Sequence, residues 1–99
     1  GQINLAAGNG GLKILSPRPG AVFTRRSDVI GNSELALQVS GDSDTRRVFW
    51  FDGAQFLGSC DAGQSLRWLP SAGAHQLTAM DQDGRKAEAQ IRVEVIGNG

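Results

Sequence analysis

The feature that most constrains this chain is its last long run. From Lys86 to Val95 polar and apolar residues alternate without a break. Ala87, Ala89, Ile91, Val93 and Val95 share one side; Lys86, Glu88, Gln90, Arg92 and Glu94 share the other. A period of two held this long belongs to a half-buried β-strand and is incompatible with a helix, whose faces repeat every 3.6 residues or so. Asp83-Gly84 just before it readily takes the positive φ angles of a hairpin turn. His75–Asp81 reads as the partner strand. The chain therefore ends in a long β-hairpin with one face against a core.

The same reading extends back along the chain, because Gly and Pro punctuate it at short, regular intervals. Leu12–Leu15 is a short first strand, broken by Ser16-Pro17-Arg18-Pro19-Gly20, since proline cannot donate to a ladder. Ala21–Thr24 resumes extended structure, and Arg25–Asn32 reads as a loop. Glu34–Ser40 alternates, with Leu35, Leu37 and Val39 on one side. Gly41–Thr45 is a turn cluster. Arg46–Phe51 is a strand apolar on both faces, turned by Asp52-Gly53 into Gln55–Gly58. Ser59–Gln64 reads as loop, and Ser65–Leu69 as a short strand stopped by Pro70. The reading is an all-β antiparallel sandwich of about seven strands. Its expected core is Leu12, Ile14, Val22, Leu35, Leu37, Val39, Phe49, Phe51, Leu57, Leu66, Leu77, Ala79, Ile91, Val93 and Val95.

Ninety-nine residues make one domain, expected over residues 12–96, with a linker or tail at 1–11 (Ala6–Gly11 is AAGNGG) and a short tail at 97–99. A chain of this size buries roughly 60–70% of its unfolded surface, which leaves little room for a deep active site. Ten basic and ten acidic residues give no net charge, and no polybasic run is present; nucleic acid and anionic membrane are poor partners for it. No apolar stretch approaches the roughly 20 residues that span a bilayer, so no direct membrane insertion is expected. No signal-peptide pattern is visible, which says little, because the chain reads as a piece of a longer protein. A single cysteine, Cys60, rules out an intramolecular disulfide and reads as a small, part-buried filler residue.

Catalytic constellations are missing. Serine chemistry needs a base beside the hydroxyl, and the only histidine, His75, shares the parity of Leu77 and Ala79 and so reads as a packed strand-end residue. No Gly-x-Ser-x-Gly, Ser-x-x-Lys or Lys-Thr-Gly element occurs. The aspartates fall mainly in turns, where they usually bond their own backbone. One Cys and one His cannot make a usual structural zinc site. Calcium at Asp42 and Asp44, or at Asp81 and Asp83, lacks further oxygen ligands. No metal, no cofactor and no catalytic residue is expected.

Several short blocks occur in a fixed order: Ile14-Leu15-Ser16-Pro17 then Gly20-Ala21-Val22-Phe23; Val48-Phe49-Trp50-Phe51-Asp52-Gly53 then Leu57-Gly58; Trp68-Leu69-Pro70 then Gly73 and His75; and Asp81-Gln82-Asp83-Gly84-Arg85. In this set the chain resembles the C-terminal domain of the penicillin-binding protein 1C family, bifunctional peptidoglycan synthases of Gram-negative bacteria. The first two blocks also resemble motifs of Ig-like domains attached to other secreted bacterial enzymes. The resemblance implies an Ig-like β-sandwich that follows glycosyltransferase and transpeptidase domains in a periplasmic protein anchored in the inner membrane. It implies an accessory domain without catalytic residues, whose partners are its own catalytic domains, another periplasmic protein, or peptidoglycan.

The binding candidates are Trp50, Arg46, Arg47 and Trp68. If Phe49 and Phe51 face the core, Val48 and Trp50 face outward, and inward Leu57 after the Asp52-Gly53 turn fits that register. An exposed Trp50 would stack on a sugar or anchor a partner, with Arg46 and Arg47 beside it to meet carboxylates. The opposite register buries Trp50 between the sheets, as is common in Ig-like folds. Trp68 shares parity with Leu66 and reads first as a core-edge plug, and otherwise as half of a two-tryptophan sugar platform. An interaction domain predicts an apolar patch near Trp50 and no small-ligand pocket; a glycan-binding module predicts aligned aromatics with polar neighbours. Two Trp and no Tyr favour the first.

Overall fold

The computed structural model describes residues 11–26 and 34–97. They form eight strands: β1 (Lys13–Ser16), β2 (Val22–Arg26), β3 (Leu35–Ser40), β4 (Arg47–Asp52), β5 (Gln55–Asp61), β6 (Leu66–Trp68), β7 (Gly73–Asp81) and β8 (Lys86–Ile96). The linker read over 1–11 lies, apart from Gly11, outside the described residues, as does most of the loop read over 25–32. The stretch Ser59–Gln64 was expected as loop, but β5 continues to Asp61, because Arg47, Val48 and Phe49 each find a partner there: Asp61, Cys60 and Ser59.

The strands form a sandwich of two sheets. One is ordered β1-β3-β6, the other β2-β8-β7-β4-β5. Every pairing is antiparallel except β2 with β8, which run parallel. The closing hairpin is as the alternation predicts: Leu77 faces Ala89 and His75 faces Ile91 across β7 and β8. Its turn uses Gly84 at φ 86°, while Asp83 keeps a negative φ. Only one residue of the Asp-Gly pair therefore needs the left-handed region, where glycine pays no Cβ penalty.

The core register differs from the expected one in β4. Val48 and Trp50 point between the sheets and are buried, Trp50 completely. Phe49 and Phe51 lie half-buried on the other side of the strand. The cause is a β-bulge between Trp50 and Phe51: Trp50 pairs with Gly58 and Phe51 with Phe56, leaving Leu57 as the extra residue. A bulge uncouples the parity of the two strands, so the inward lean of Leu57 does not report the face of Phe51. Small residues flank the indole, Gly58 on β5 and Ala79 on β7. Gly58 adopts φ 147°, and a Cβ there would approach the Leu66 side chain to 3.2 Å. The space that a larger residue would take is given to Trp50. Val22, also expected inside, is 60% exposed, because β2 is an edge strand and it is Phe23 on its other side that packs against the core.

One end of the sandwich is tied by a charged knot. Asp81, fully buried, accepts from the backbone N–H of Asp83 and of Arg85, both at 3.0 Å, from the Thr45 hydroxyl at 3.2 Å and from Arg85 Nε at 2.8 Å. The Arg85 fork also reaches Asp42, Asp44 and Asp83. Gln82 completes the join: its carbonyl oxygen accepts from the N–H groups of Arg46 and Arg47, and its amide donates to Asp44 O. The β3–β4 loop and the β7–β8 turn are thereby one unit. Burial disfavours the Asp81 carboxylate, but the N–H donors of Arg85 and Asp83, the Thr45 hydroxyl and the Arg85 guanidinium outweigh it, so its pKa lies below the ordinary carboxylate value.

Two outcomes follow for urea denaturation. Trp50→Ala lowers stability by about 3–5 kcal/mol, the usual range for an emptied aromatic core site. Asp81→Asn lowers it by about 2 kcal/mol at neutral pH by weakening a charge-assisted network. A carboxylate with a lowered folded pKa stabilises fully above its unfolded value and loses that contribution as the pH falls through the folded one. The deficit of Asp81→Asn therefore narrows below about pH 4.

Candidate interaction surface

The four residues singled out from the sequence do not form one site. Trp50 has no exposed surface and cannot stack on a ligand; the bulge-driven register removes it from the surface. Its indole N–H makes no hydrogen bond of full geometry, although it is near enough to Cys60 to favour the thiolate. Sulfur is a weak acceptor, and it is the group this buried donor has beside it. Burial nevertheless dominates and pushes the Cys60 thiol up, with Asp61 adding to the rise and Trp50 and Arg47 opposing it. The Cys60 S–H points to the Gln64 carbonyl at 3.5 Å.

Arg47 is already engaged. Its fork holds Asp61 at 2.7 Å and the Ser59 hydroxyl at 2.9 Å across β4 and β5. Arg46 is exposed, with its backbone N–H held by Gln82. Trp68 is a partly buried residue packed against the core, as the plug reading has it. Its ring meets His75 edge-on, with centroids 5.1 Å apart. His75 is buried, with Nδ1 2.6 Å from Asp52 Oδ2 and Nε2 2.7 Å from the Ser71 carbonyl. Carboxylate and carbonyl both lie within hydrogen-bond reach, so each ring nitrogen has a partner. The histidine clamps the end of β4 to the β6–β7 connection, and neither nitrogen is left to act on a substrate.

Two residues that the sequence reading placed inside, Phe49 and Phe51, belong instead to a surface feature. On the outer face of the five-stranded sheet Phe49, Phe51 and Phe56 lie together with Met80. Phe51 pairs with Phe56 on one side and Thr78 on the other, and Phe49 with Met80. The Phe51 and Phe56 rings are 5.4 Å apart and tilted by 55°. Phe56 is 55% exposed and sits on β5, the edge strand. Beside them a hollow of about 290 Å³ is lined by Phe51, Gly53, Thr78, Met80, Lys86 and Glu88. No local pattern in the sequence marks this face, because it follows from the pairing of Trp50 with Gly58 and Ala79, which only the register reveals.

Asp42 and Asp44, and Asp81 and Asp83, the two pairs weighed separately for calcium, converge on the Arg85 guanidinium. Among the described residues no group of three or more His, Cys, Asp or Glu is placed to hold a metal ion.

The model of the Penicillin-Binding Protein C-terminus Family matches residues 3–93. The chain belongs to this family. No curated protein matches it. Among solved structures it is similar to the fibronectin(III)-like modules of Clostridium thermocellum CbhA, with a TM-score of 0.65 over 86% of this chain and 97% of that one. At 22% identity that likeness establishes the fold, an Ig/fibronectin-like sandwich, as the family resemblance implied.

Two measurements check the surface. Phe56→Ser costs less than about 1 kcal/mol in a denaturant titration, because the side chain is more than half exposed. Cys60 alkylates with iodoacetamide at pH 7 about tenfold more slowly than an unstructured peptide cysteine, and the gap narrows in alkaline solution.

Proposed function

We propose that this family member is a non-catalytic accessory domain of a periplasmic peptidoglycan synthase and that it works by docking. It joins the glycosyltransferase and transpeptidase domains of its own chain, or another periplasmic protein, during cell-wall assembly. Family membership supports a cell-envelope role. The observation that carries the docking reading is the outward-facing Phe49–Phe51–Phe56–Met80 cluster, half-buried except for the exposed Phe56. Aromatic rings and methionine on one face, bounded by Lys86 and Glu88, are the composition of an interface centre with a polar rim. The sole histidine is occupied on both nitrogens, which agrees with a domain that does no chemistry of its own.

A second reading is a module that holds glycan strands. It draws on the same face, since the phenylalanines are aligned and Thr78, Lys86 and Glu88 stand beside them. Phenylalanine has no polar handle, and protein docking uses its area more fully.

The test pairs two assays on the wild type and the Phe51→Ser/Phe56→Ser double variant. In calorimetry against the separately purified catalytic portion of the synthase, the wild type binds and the variant loses at least about tenfold in affinity, the effect of removing a central aromatic pair. In pelleting assays with isolated peptidoglycan sacculi neither form sediments. Pelleting that depends on the two phenylalanines would establish the glycan reading; an affinity for the catalytic portion equal in both forms would overturn the docking face.

A further inference from the structure

The same sheet carries a second hollow, separate from the phenylalanine cluster. It measures about 410 Å³ and is lined by Gly20, Ala21, Ala74, Gln76, Gln90 and Arg92, together with His75 and Ile91. Its cause is missing bulk: Gly20, Ala21 and Ala74 offer at most a methyl, while the longer Gln76, Gln90 and Arg92 rise around them. Ala74 lies opposite Arg92, and Gln76 opposite Gln90, across β7 and β8. One wall is fixed backbone, since Gly20 N donates to Gln90 O at 2.7 Å and Arg92 N to Ala21 O at 3.0 Å. The His75 ring contributes no donor, because it is buried with both nitrogens occupied.

The hollow has a polarity. Among the described residues that line it, only Arg92 carries a full formal charge. That guanidinium's ion pair with Glu94 is long, 3.7 Å through Nε, and exposed on both sides, so it holds the group weakly. An adjoining hollow of about 400 Å³ shares Gly20, Gln76 and Gln90 with it and adds Pro19, Glu88 and Ala89. The combined groove is thus cationic at Arg92, amide-lined in the middle and anionic at Glu88. Arg92 and Glu88 share a strand face four residues apart, or about 13 Å at the rise of an extended strand.

We infer that this groove binds a short extended peptide of small residues with both ends free. Its terminal carboxylate meets the Arg92 fork, its peptide groups exchange hydrogen bonds with the Gln76 and Gln90 carboxamides, and its ammonium group faces Glu88. Only small side chains fit over Ala74 and Gly20. The span matches a peptide of three or four residues, each advancing about 3.3 Å. The site shares Glu88 with the rim of the docking face, but its test reads different residues.

The probe is trialanine, titrated into the ¹⁵N-labelled chain and followed by amide chemical shifts. Saturable shifts centre on Ala74, Gln76, Gln90 and Arg92, with a dissociation constant on the order of 1 mM, as suits a small open groove. N-acetylation and C-terminal amidation of the probe each weaken binding several-fold. Arg92→Met weakens the free peptide about tenfold but not the amidated one, in keeping with loss of a charge-assisted contact. Ala74→Leu abolishes binding while the remaining spectrum stays unchanged, because Ala74 is exposed and its replacement leaves the core intact. Three results would each overturn the assignment: no saturation by about 20 mM probe, twentyfold above the expected constant; equal binding of free and capped peptides; or shifts centred on Phe51 and Phe56.

Discussion

The seating of Trp50 between the sheets is the constraint on which the rest of this structure depends. A fully buried indole needs volume, and the five-stranded sheet supplies it by placing Gly58 and Ala79 on either side. Gly58 can do so because it accepts a φ of 147° and carries no Cβ to press on Leu66. The bulge beside it is the means by which β4 and β5 keep pairing after their parity has shifted. Once Trp50 faces inward, strand alternation sends Phe49 and Phe51 outward. The apolar outer face is therefore the far side of the core's own solution.

The two ends of the sandwich are held by buried polar contacts of different kinds. At one end Asp81 gathers two backbone N–H groups, a hydroxyl and a guanidinium. It is a buried carboxylate that keeps its charge because its lone pairs are filled. At the other end His75 spans Asp52 and the Ser71 carbonyl beneath the edge of Trp68. In both places a loop that would be free in sequence terms is fixed to a strand by side chains distant along the chain. That rigidity suits the docking role we propose. The surface then divides, with an aromatic cluster at β4 and β5 and a polar groove along β7 and β8.

How far the sequence could be read depended on the range of the forces involved. The all-β class, the closing hairpin and the Gly84 turn follow from period-two alternation and turn chemistry, which act between near neighbours. The packed role of His75 and the plug role of Trp68 were also legible from parity. The face of Trp50 was not, because Arg46–Phe51 is apolar on both sides and alternation cannot choose between them. Leu57 fits the outward register, but a bulge is a long-range event that depends on what lies across the sandwich, here Leu66, and on the neighbouring strand, here Ala79. The partners of Arg47 and Arg85 were equally hidden, since Asp61 and the Asp42–Asp44 loop reach them only through strand pairing.

By itself the sequence determined a small β-sandwich and the family to which it belongs. Local periodicity and a set of ordered motifs are enough for that. Only the tertiary structure decided which aromatics meet solvent, because burial belongs to the volume shared by two sheets, and that volume went to one tryptophan in place of two phenylalanines.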